Sequence, residues 1–158
     1  MFKHILVAID GSEYSRQALP VAIEVAKRFE GEVFVLHVHE EGYGRASTNP
    51  LETAGEAARL VADAVKAVRD AGVTARGHVG DLYGEHVANG IVKTARAQGC
   101  DLIVMGSRGL SGAQSLMLGS VTQKVMHLAH TAVLVVRPPE SGKENAEFAV
   151  ASAKSPAA

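Results

Sequence analysis

The sequence predicts a single α/β domain built on an open parallel sheet of five strands, with helices on both faces of the sheet. Three observations carry this prediction. The 158 residues suit one domain and leave enough chain for a hydrophobic core. Short apolar runs alternate with longer segments whose apolar residues recur at helical spacing. An alternation of strands and helices favours a parallel sheet with right-handed crossovers, whose helices cover both faces.

The first strand and the first helix are predicted from the amino-terminal 31 residues. The continuous apolar run His4–Ile9 is typical of a strand buried on both faces. Ser12 suits a helix N-cap, Glu13 suits the first turn, and Gly31 suits the end of the helix. Pro20 predicts a local kink rather than a break. The predicted core-facing residues of this helix are Tyr14, Ala18, Val21, Val25 and Phe29.

The middle of the chain predicts the second strand, the second helix and the third strand. The second strand covers 33–38, and a polar, glycine-rich loop follows over 40–50. A helix is predicted over about 51–71. The weaker apolar run 73–79 contains polar residues and therefore predicts a strand at the edge of the sheet. The predicted apolar face of the helix consists of Ala54, Ala58, Val61, Val65 and Val68.

The last part of the chain predicts two further helices and two further strands. A third helix is expected from a cap at Asp81 to about Gln98, followed by a buried strand over 102–105. A fourth helix begins at Gly119-Ser120 and presents Leu118, Val121, Val125 and Leu128 on one face. The last strand covers 132–136 and is stopped by two prolines. The folded domain is thus expected to span 1–139, and the polar segment 140–158 to be a disordered tail.

Composition and charge exclude several classes of function. The net charge of −1, the absence of Trp and the 4% of aromatic residues disfavour binding to nucleic acid. The same charge predicts no attraction to an anionic membrane, and no apolar run approaches the roughly 20 residues that span a bilayer. The single Cys100 cannot form an internal disulfide, which suits the reducing cytoplasm, and a packed thiol is the favoured interpretation.

The sequence around the fourth strand predicts an anion-binding loop. The buried run ending at Met105 stops at Gly106-Ser107-Arg108-Gly109, and Gly119-Ser120 opens the next helix. Glycine allows backbone N–H groups to approach an anion without a β-carbon in the way, and the helix N-terminus adds about half a positive charge. The loop has no Gly-Lys-Ser/Thr ending, which excludes a P-loop. No G-x-G-x-x-G follows the first strand, which excludes the dinucleotide-binding fingerprint.

The spacing Gly-x2-Gly-x9-Gly-Ser resembles the nucleotide-binding signature of the universal stress protein (UspA) family, in its ATP-binding branch. The resemblance extends from Lys3 to Pro138. It implies a Rossmann-like sheet with the strand order 3-2-1-4-5, whose reversal of order forms a ligand crevice. It also implies that the protein binds ATP, with Mg2+ held through the phosphates, and acts as a cytoplasmic stress regulator. A homodimer joined through the last strand, 132–136, is implied as well.

Carried over position by position, the resemblance implies a set of nucleotide-contacting residues: Ala8, Asp10, Val38, Met105, Gly106, Ser107, Arg108, Gly109, Gly112, Gly119, Ser120, Val121 and Thr122. The assignments of Ala8 and Val38 rest on the resemblance alone, since both also suit the core. Asp10 either accepts hydrogen bonds from the nucleoside or caps an Asx-turn. Arg108 either pairs with phosphate or points to solvent, and Ser120 is otherwise an ordinary N-cap.

Three other functions stay open at this stage. His37, His39 and His78 could meet at a metal ion, although no Cys or carboxylate spacing supports a zinc site. The chain could be a true ATPase or an adenylyl-transferring enzyme of the adenine-nucleotide α-hydrolase-like group. No general base or acidic strand end near the loop supports fast hydrolysis, so no catalytic residue is predicted. The chain could also be an interaction module without a nucleotide, which the intact glycine pattern disfavours.

Overall fold

The computed structural model describes residues 1–39, 53–81, 86–110 and 118–137. Three predicted features therefore lie outside the described residues: the loop over 40–50, the tail over 140–158 and Gly112. In chain order the elements are β1 (His4–Ile9), α1 (Glu13–Phe29), β2 (Glu32–His39), α2 (Ala54–Asp70), β3 (Ala75–Asp81), α3 (Val87–Ala97), β4 (Leu102–Gly106), α4 (Ser120–Leu128) and β5 (Ala132–Val136).

The strands of the described residues form one parallel sheet in the order β3-β2-β1-β4-β5. This confirms the predicted fold class and the predicted order. The order reverses between β1 and β4, which pair side by side, so the carboxyl ends of these two strands meet. Ligands bind at such a reversal in open parallel sheets because the crossovers leave in opposite directions and open a crevice.

The two faces of the sheet carry two separate hydrophobic cores, because successive side chains of a strand point to opposite faces. One core packs α1 and α2 against residues such as Ile5, Val7 and Val35. The other packs α3 and α4 against their neighbours Leu6 and Leu36. Helices thus lie on both faces, as predicted from the alternation of elements.

The buried faces of the first two helices agree only in part with the predicted ones. The buried residues of α1 are Ser15, Ala18, Ala22 and Ala26, and those of α2 are Ala57, Val61, Ala64 and Val68. Ala18, Val61 and Val68 are thus confirmed, whereas Tyr14, Val21, Val25 and Phe29 of α1 are only half-buried, and Ala54 and Ala58 of α2 are exposed. In α1 the small residues let the helix axis lie close to the sheet, and the larger residues flank this contact.

Helix ends agree with local chemistry, with one correction. Ser12 caps α1 as predicted, accepting a hydrogen bond from the backbone N–H of Ser15 at 3.2 Å. The chain continues through Pro20 as one helix. The predicted cap at Asp81 is wrong, because Asp81 pairs with β2 as the last residue of β3 and α3 is capped by His86. No helix of the described segments is long and apolar enough to cross a membrane.

Candidate functional site

The turn after β1 is ordered by the carboxylate of Asp10. Its Oδ1 accepts a hydrogen bond from the backbone N–H of Ser12 at 2.9 Å, which is the Asx-turn considered above. Gly11 lies between them with a φ of 78°, a conformation that suits glycine. The backbone N–H of Asp10 donates to Ser15 Oγ at 3.3 Å. One carboxylate oxygen therefore shapes the turn that starts α1.

The second oxygen of Asp10 faces the loop after β4. A β-carbon built on Gly109 would lie 2.6 Å from Asp10 Oδ2, so the two residues are in direct contact. Any side chain at position 109 would displace this carboxylate. The loop glycine and the end of β1, predicted to belong to one site, therefore meet.

Gly106, the last residue of β4, is required for packing. A β-carbon built on it would lie 2.8 Å from both the carbonyl carbon and the carbonyl oxygen of Tyr14, in the first turn of α1. Backbone atoms cannot move aside as a flexible side chain can. The absence of a side chain at Gly106 thus lets α1 begin directly against the end of β4.

Ser107 fastens the base of the loop. Its backbone N–H donates to the carbonyl oxygen of Val136 at 2.8 Å, and its own carbonyl oxygen accepts from the N–H of Gly119 at 2.9 Å. A β-carbon on Gly119 would lie 3.3 Å from the Cα of Arg108, so the two ends of the loop lie against one another. The two predicted glycine positions are therefore close in space although nine residues separate Gly109 from Gly119.

The N-cap of α4 is a glycine. Gly119 has φ −63° and ψ 152°, and within the described segments no side-chain cap hydrogen bond is present at this helix end. Ser120 is exposed and is the first helical residue, so the interpretation of Ser120 as an ordinary N-cap is wrong. Val121 is half-buried behind it. Uncapped N–H groups at a helix N-terminus attract anions through both hydrogen bonding and the helix dipole.

Thr122 joins α4 to the end of β4. Its side chain is 2% exposed, and its Oγ1 donates to the carbonyl oxygen of Gly106 at 3.0 Å. The hydroxyl proton of Thr122 is thus used inside the protein. Its hydroxyl therefore helps to fix the distance between the helix N-terminus and the glycine loop.

Arg108 lies against the side chain of Tyr14. Its Nη1 donates to Tyr14 Oη at 3.4 Å, and its Cζ lies 5.7 Å from the centre of the aromatic ring. Both residues are half-buried. The interpretation of Arg108 as a side chain that simply points to solvent is therefore wrong.

The remaining predicted residues line the sheet beside this crevice. Ala8 pairs with both Leu36 and Met105, and unlike these two buried neighbours it is half-buried. Val38, near the end of β2, is also half-buried, and it packs with Ala8 on the face covered by α3 and α4. The structure thus leaves some access to the sheet at Ala8 and Val38. Their contacts with a nucleotide stay a prediction.

His37, one of the three histidines of the metal alternative, has a backbone partner instead. His37 is buried, and its Nδ1 lies 2.9 Å from the carbonyl oxygen of Ile9. With that geometry the ring N–H joins the ends of β2 and β1. Within the part of the chain that the structure describes, no group of three His, Cys, Asp or Glu residues could hold a metal ion.

The site combines features that suit an anion. The positions of Gly109 and Gly119 admit no side chain without displacing a neighbour, the N-cap of α4 is a glycine, and Arg108 supplies a cation. Asp10 supplies a carboxylate near the same loop, as an acceptor for hydroxyl or amino groups. Sequence reasoning missed Tyr14 as a neighbour of Arg108, because only the packing of α1 on Gly106 brings the two segments together.

The fold and this loop define a doubly wound α/β protein with a glycine-containing loop at the reversal of strand order. Comparison with known proteins names its family. Residues 1–137 match the model of the universal stress protein family. The chain belongs to this family.

Three similar proteins illustrate the relationship. The universal stress protein YxiE of Bacillus subtilis is 36% identical over 87% of this chain and the whole of its own length. The solved structure of the hypothetical protein MJ0577 superposes with a TM-score of 0.75 at 30% identity, covering 89% of this chain and 99% of that one. The universal stress protein of Archaeoglobus fulgidus in complex with dAMP has a TM-score of 0.66 and 27% identity, covering 85% and 97%.

Proposed function

We propose that this universal stress protein binds ATP in the crevice between β1, β4 and α4, and acts as a nucleotide-responsive regulator. One observation carries the proposal: the N-terminus of α4, whose N-cap is Gly119, lies against the loop residue Arg108, and the next loop residue, Gly109, contacts Asp10. The related Archaeoglobus fulgidus protein was solved in complex with dAMP, which supports an adenine nucleotide as the ligand.

In this proposal the phosphates contact the loop from Gly106 to Gly109 and the N–H groups of Ser120 and Val121. Glycine at 109 and 119 allows the backbone to approach the anion. Asp10 Oδ2 accepts from the nucleoside, while Ala8, Val38 and Met105 border the base. Mg2+ enters with the phosphates, and it neutralises their charge.

We do not assign a catalytic residue. Hydrolysis of ATP requires a group that orients water beside a metal-bound triphosphate. The carboxylate of Asp10, which contacts the loop at Gly109, is held by the N–H of Ser12. Hydrolysis through positioning alone is slow, so the protein is proposed to sense nucleotide in the cytoplasm rather than to consume it.

We further propose a homodimer joined through β5. This strand is at one edge of the sheet, and Leu134 is 37% exposed on it. An edge strand with open backbone groups pairs readily with another strand. Pairing would cover the β5 edge of each copy and bury the Leu134 side chain of each copy.

Isothermal titration tests the nucleotide proposal. We expect ATP with Mg2+ to bind with a dissociation constant of roughly micromolar to millimolar. The combined substitutions Gly109→Val and Ser120→Ala should abolish binding, and mass spectrometry of ligand released from fresh protein should find an adenine nucleotide. Normal ATP binding by that double variant would refute the site, and binding of GTP as tight as ATP would refute the preference for adenine.

A further inference from the structure

Tyr14 of α1 contacts two residues of the segment 106–109, Gly106 and Arg108. A β-carbon built on Gly106 would lie 2.8 Å from the backbone carbonyl of Tyr14 and 2.9 Å from its Cβ. The turn before it is fixed by the hydrogen bonds among Asp10, Ser12 and Ser15. The backbone of Tyr14 is thus held in place relative to the loop from both sides.

From this fixed backbone the side chain of Tyr14 reaches Arg108. The guanidinium lies 5.7 Å from the ring centre, within the roughly 6 Å of a cation–π contact, and Nη1 donates to Oη at 3.4 Å. Arginine has a long side chain and loses considerable conformational freedom when it is ordered. A guanidinium already held by a fixed aromatic ring loses less of this freedom when an anion binds.

Arg108 is the cationic side chain of the predicted site. In the segments 106–110 and 118–122, which form the loop ends and the start of α4, it is the single Lys or Arg. The Cα of Arg108 lies against Gly119, the N-cap of α4. A triphosphate carries more negative charge than a monophosphate, so a cation at this position favours the triphosphate.

We infer that Tyr14 is a positioning residue that holds Arg108 for the phosphates and thereby sets the preference of the site for ATP over AMP. The inference rests on the proposed function of the same site. Tyr14 acts through Arg108 and contributes little to the binding of the nucleoside, which is assigned to Asp10, Ala8 and Val38.

The test compares the affinities for ATP and AMP, by titration calorimetry with Mg2+, in the full chain and its variants. Tyr14→Leu keeps the β-carbon and apolar bulk but loses the ring face and the hydroxyl. We expect it to lower the ratio of ATP to AMP affinity roughly threefold or more, with AMP affinity changed less than twofold. Tyr14→Phe, which keeps the ring face, should retain more of the ratio than Tyr14→Leu.

A double-variant cycle separates positioning from general packing. Arg108→Gln should lower ATP affinity about tenfold, and adding Tyr14→Leu to it should cause no further loss. The inference would be overturned if the losses of ATP affinity in the two single variants added up in the double variant. It would also be overturned if Tyr14→Leu lowered ATP and AMP affinity equally, or if Arg108→Gln left the ratio of ATP to AMP affinity unchanged. Wild-type protein that binds no ATP would overturn the proposed function as well, whereas wild-type binding with an unchanged ratio in Tyr14→Leu overturns this inference alone.

Discussion

The carboxylate of Asp10 and the backbone of Gly109 are in contact across the reversal of strand order, since a β-carbon on residue 109 would lie 2.6 Å from Asp10 Oδ2. The atom in the way is the end of a side chain, which can rotate. A substitution at Gly109 should therefore disturb the position of a functional group more than it disturbs the fold.

Gly109→Ala should weaken ATP binding at least about tenfold while changing the free energy of unfolding by less than about 1 kcal/mol. The added methyl group displaces the Asp10 carboxylate and blocks the approach of phosphate to the loop. Calorimetric titration and urea unfolding measure the two effects. Gly55→Ala is the control, because among the described residues a β-carbon there meets Thr53 Oγ1, at 3.9 Å, so ATP affinity should stay near wild type and stability should not fall. Unchanged ATP affinity in Gly109→Ala would contradict the assignment.

Gly106→Ala should instead destabilise the fold, by about 2 kcal/mol or more. Its β-carbon would lie 2.8 Å from backbone atoms of Tyr14, so α1 must shift away from β4. Urea unfolding followed by circular dichroism measures the loss. If Gly106→Ala were as stable as Gly55→Ala, the packing role of this glycine would be wrong.

Thr122→Val should cost about 1 to 2 kcal/mol of stability. The substitution keeps the shape of the side chain but leaves the carbonyl oxygen of Gly106 without its donor in a buried position. Thr122→Ser retains the hydroxyl and should lose less stability than Thr122→Val. Equal unfolding free energies for wild type and Thr122→Val would show that the hydrogen bond contributes nothing.

The thiol of Cys100 should react slowly in the folded protein. Burial raises its pKa to about 11, so roughly one thiol in a thousand is ionised at pH 8. A disulfide reagent should therefore react at least about tenfold more slowly with folded protein than with protein in urea, where the pKa is near 9, because the smaller thiolate fraction outweighs the higher reactivity of that thiolate. The same shift lowers stability as the pH rises from 9 to 11, because the unfolded thiol releases its proton first. Similar rates for folded and unfolded protein would contradict the burial argument.

Leu134→Arg should convert a dimer into a monomer. The charge would be buried against a second copy if two β5 edges pair, which is costly without a partner of opposite charge. Light scattering after gel filtration measures the mass. Ala67→Arg, on the exposed face of α2, is the control and should leave the mass unchanged. A Leu134→Arg protein with the same mass as wild type would refute pairing through this edge.

The strands and the glycine-containing loop were predictable because each depends on residues that are close in sequence. The buried runs around Val7 and Val104 predict two-faced strands, and Gly106 with Gly109 predicts an anion loop. The roles within that loop were not predictable, since both residues are glycine. Only the structure shows that Gly106 meets backbone atoms of α1 while Gly109 meets a side chain.

Helix faces and helix starts were less predictable, again for physical reasons. Apolar size favoured Val21 and Val25 as core residues of α1, whereas close approach to the sheet selects Ala22 and Ala26 beside the correctly predicted Ala18. An Asp before a helical pattern resembles a cap, yet Asp81 extends β3 because β2 offers it a pairing partner, His39. Both choices depend on neighbours that are distant in sequence.

The two hydrogen bonds of Ser107 have a consequence for engineering. They join Ser107 to Gly119, on either side of the interval 108–118, and to Val136 at the end of β5. A loop whose ends are already joined loses little stability when residues are added, since the entropy of closure grows only slowly with length. A peptide or a small reporter domain grafted just after Leu110 should thus be carried by the protein without displacing the two glycines, and its signal could be made to report on the occupancy of the crevice.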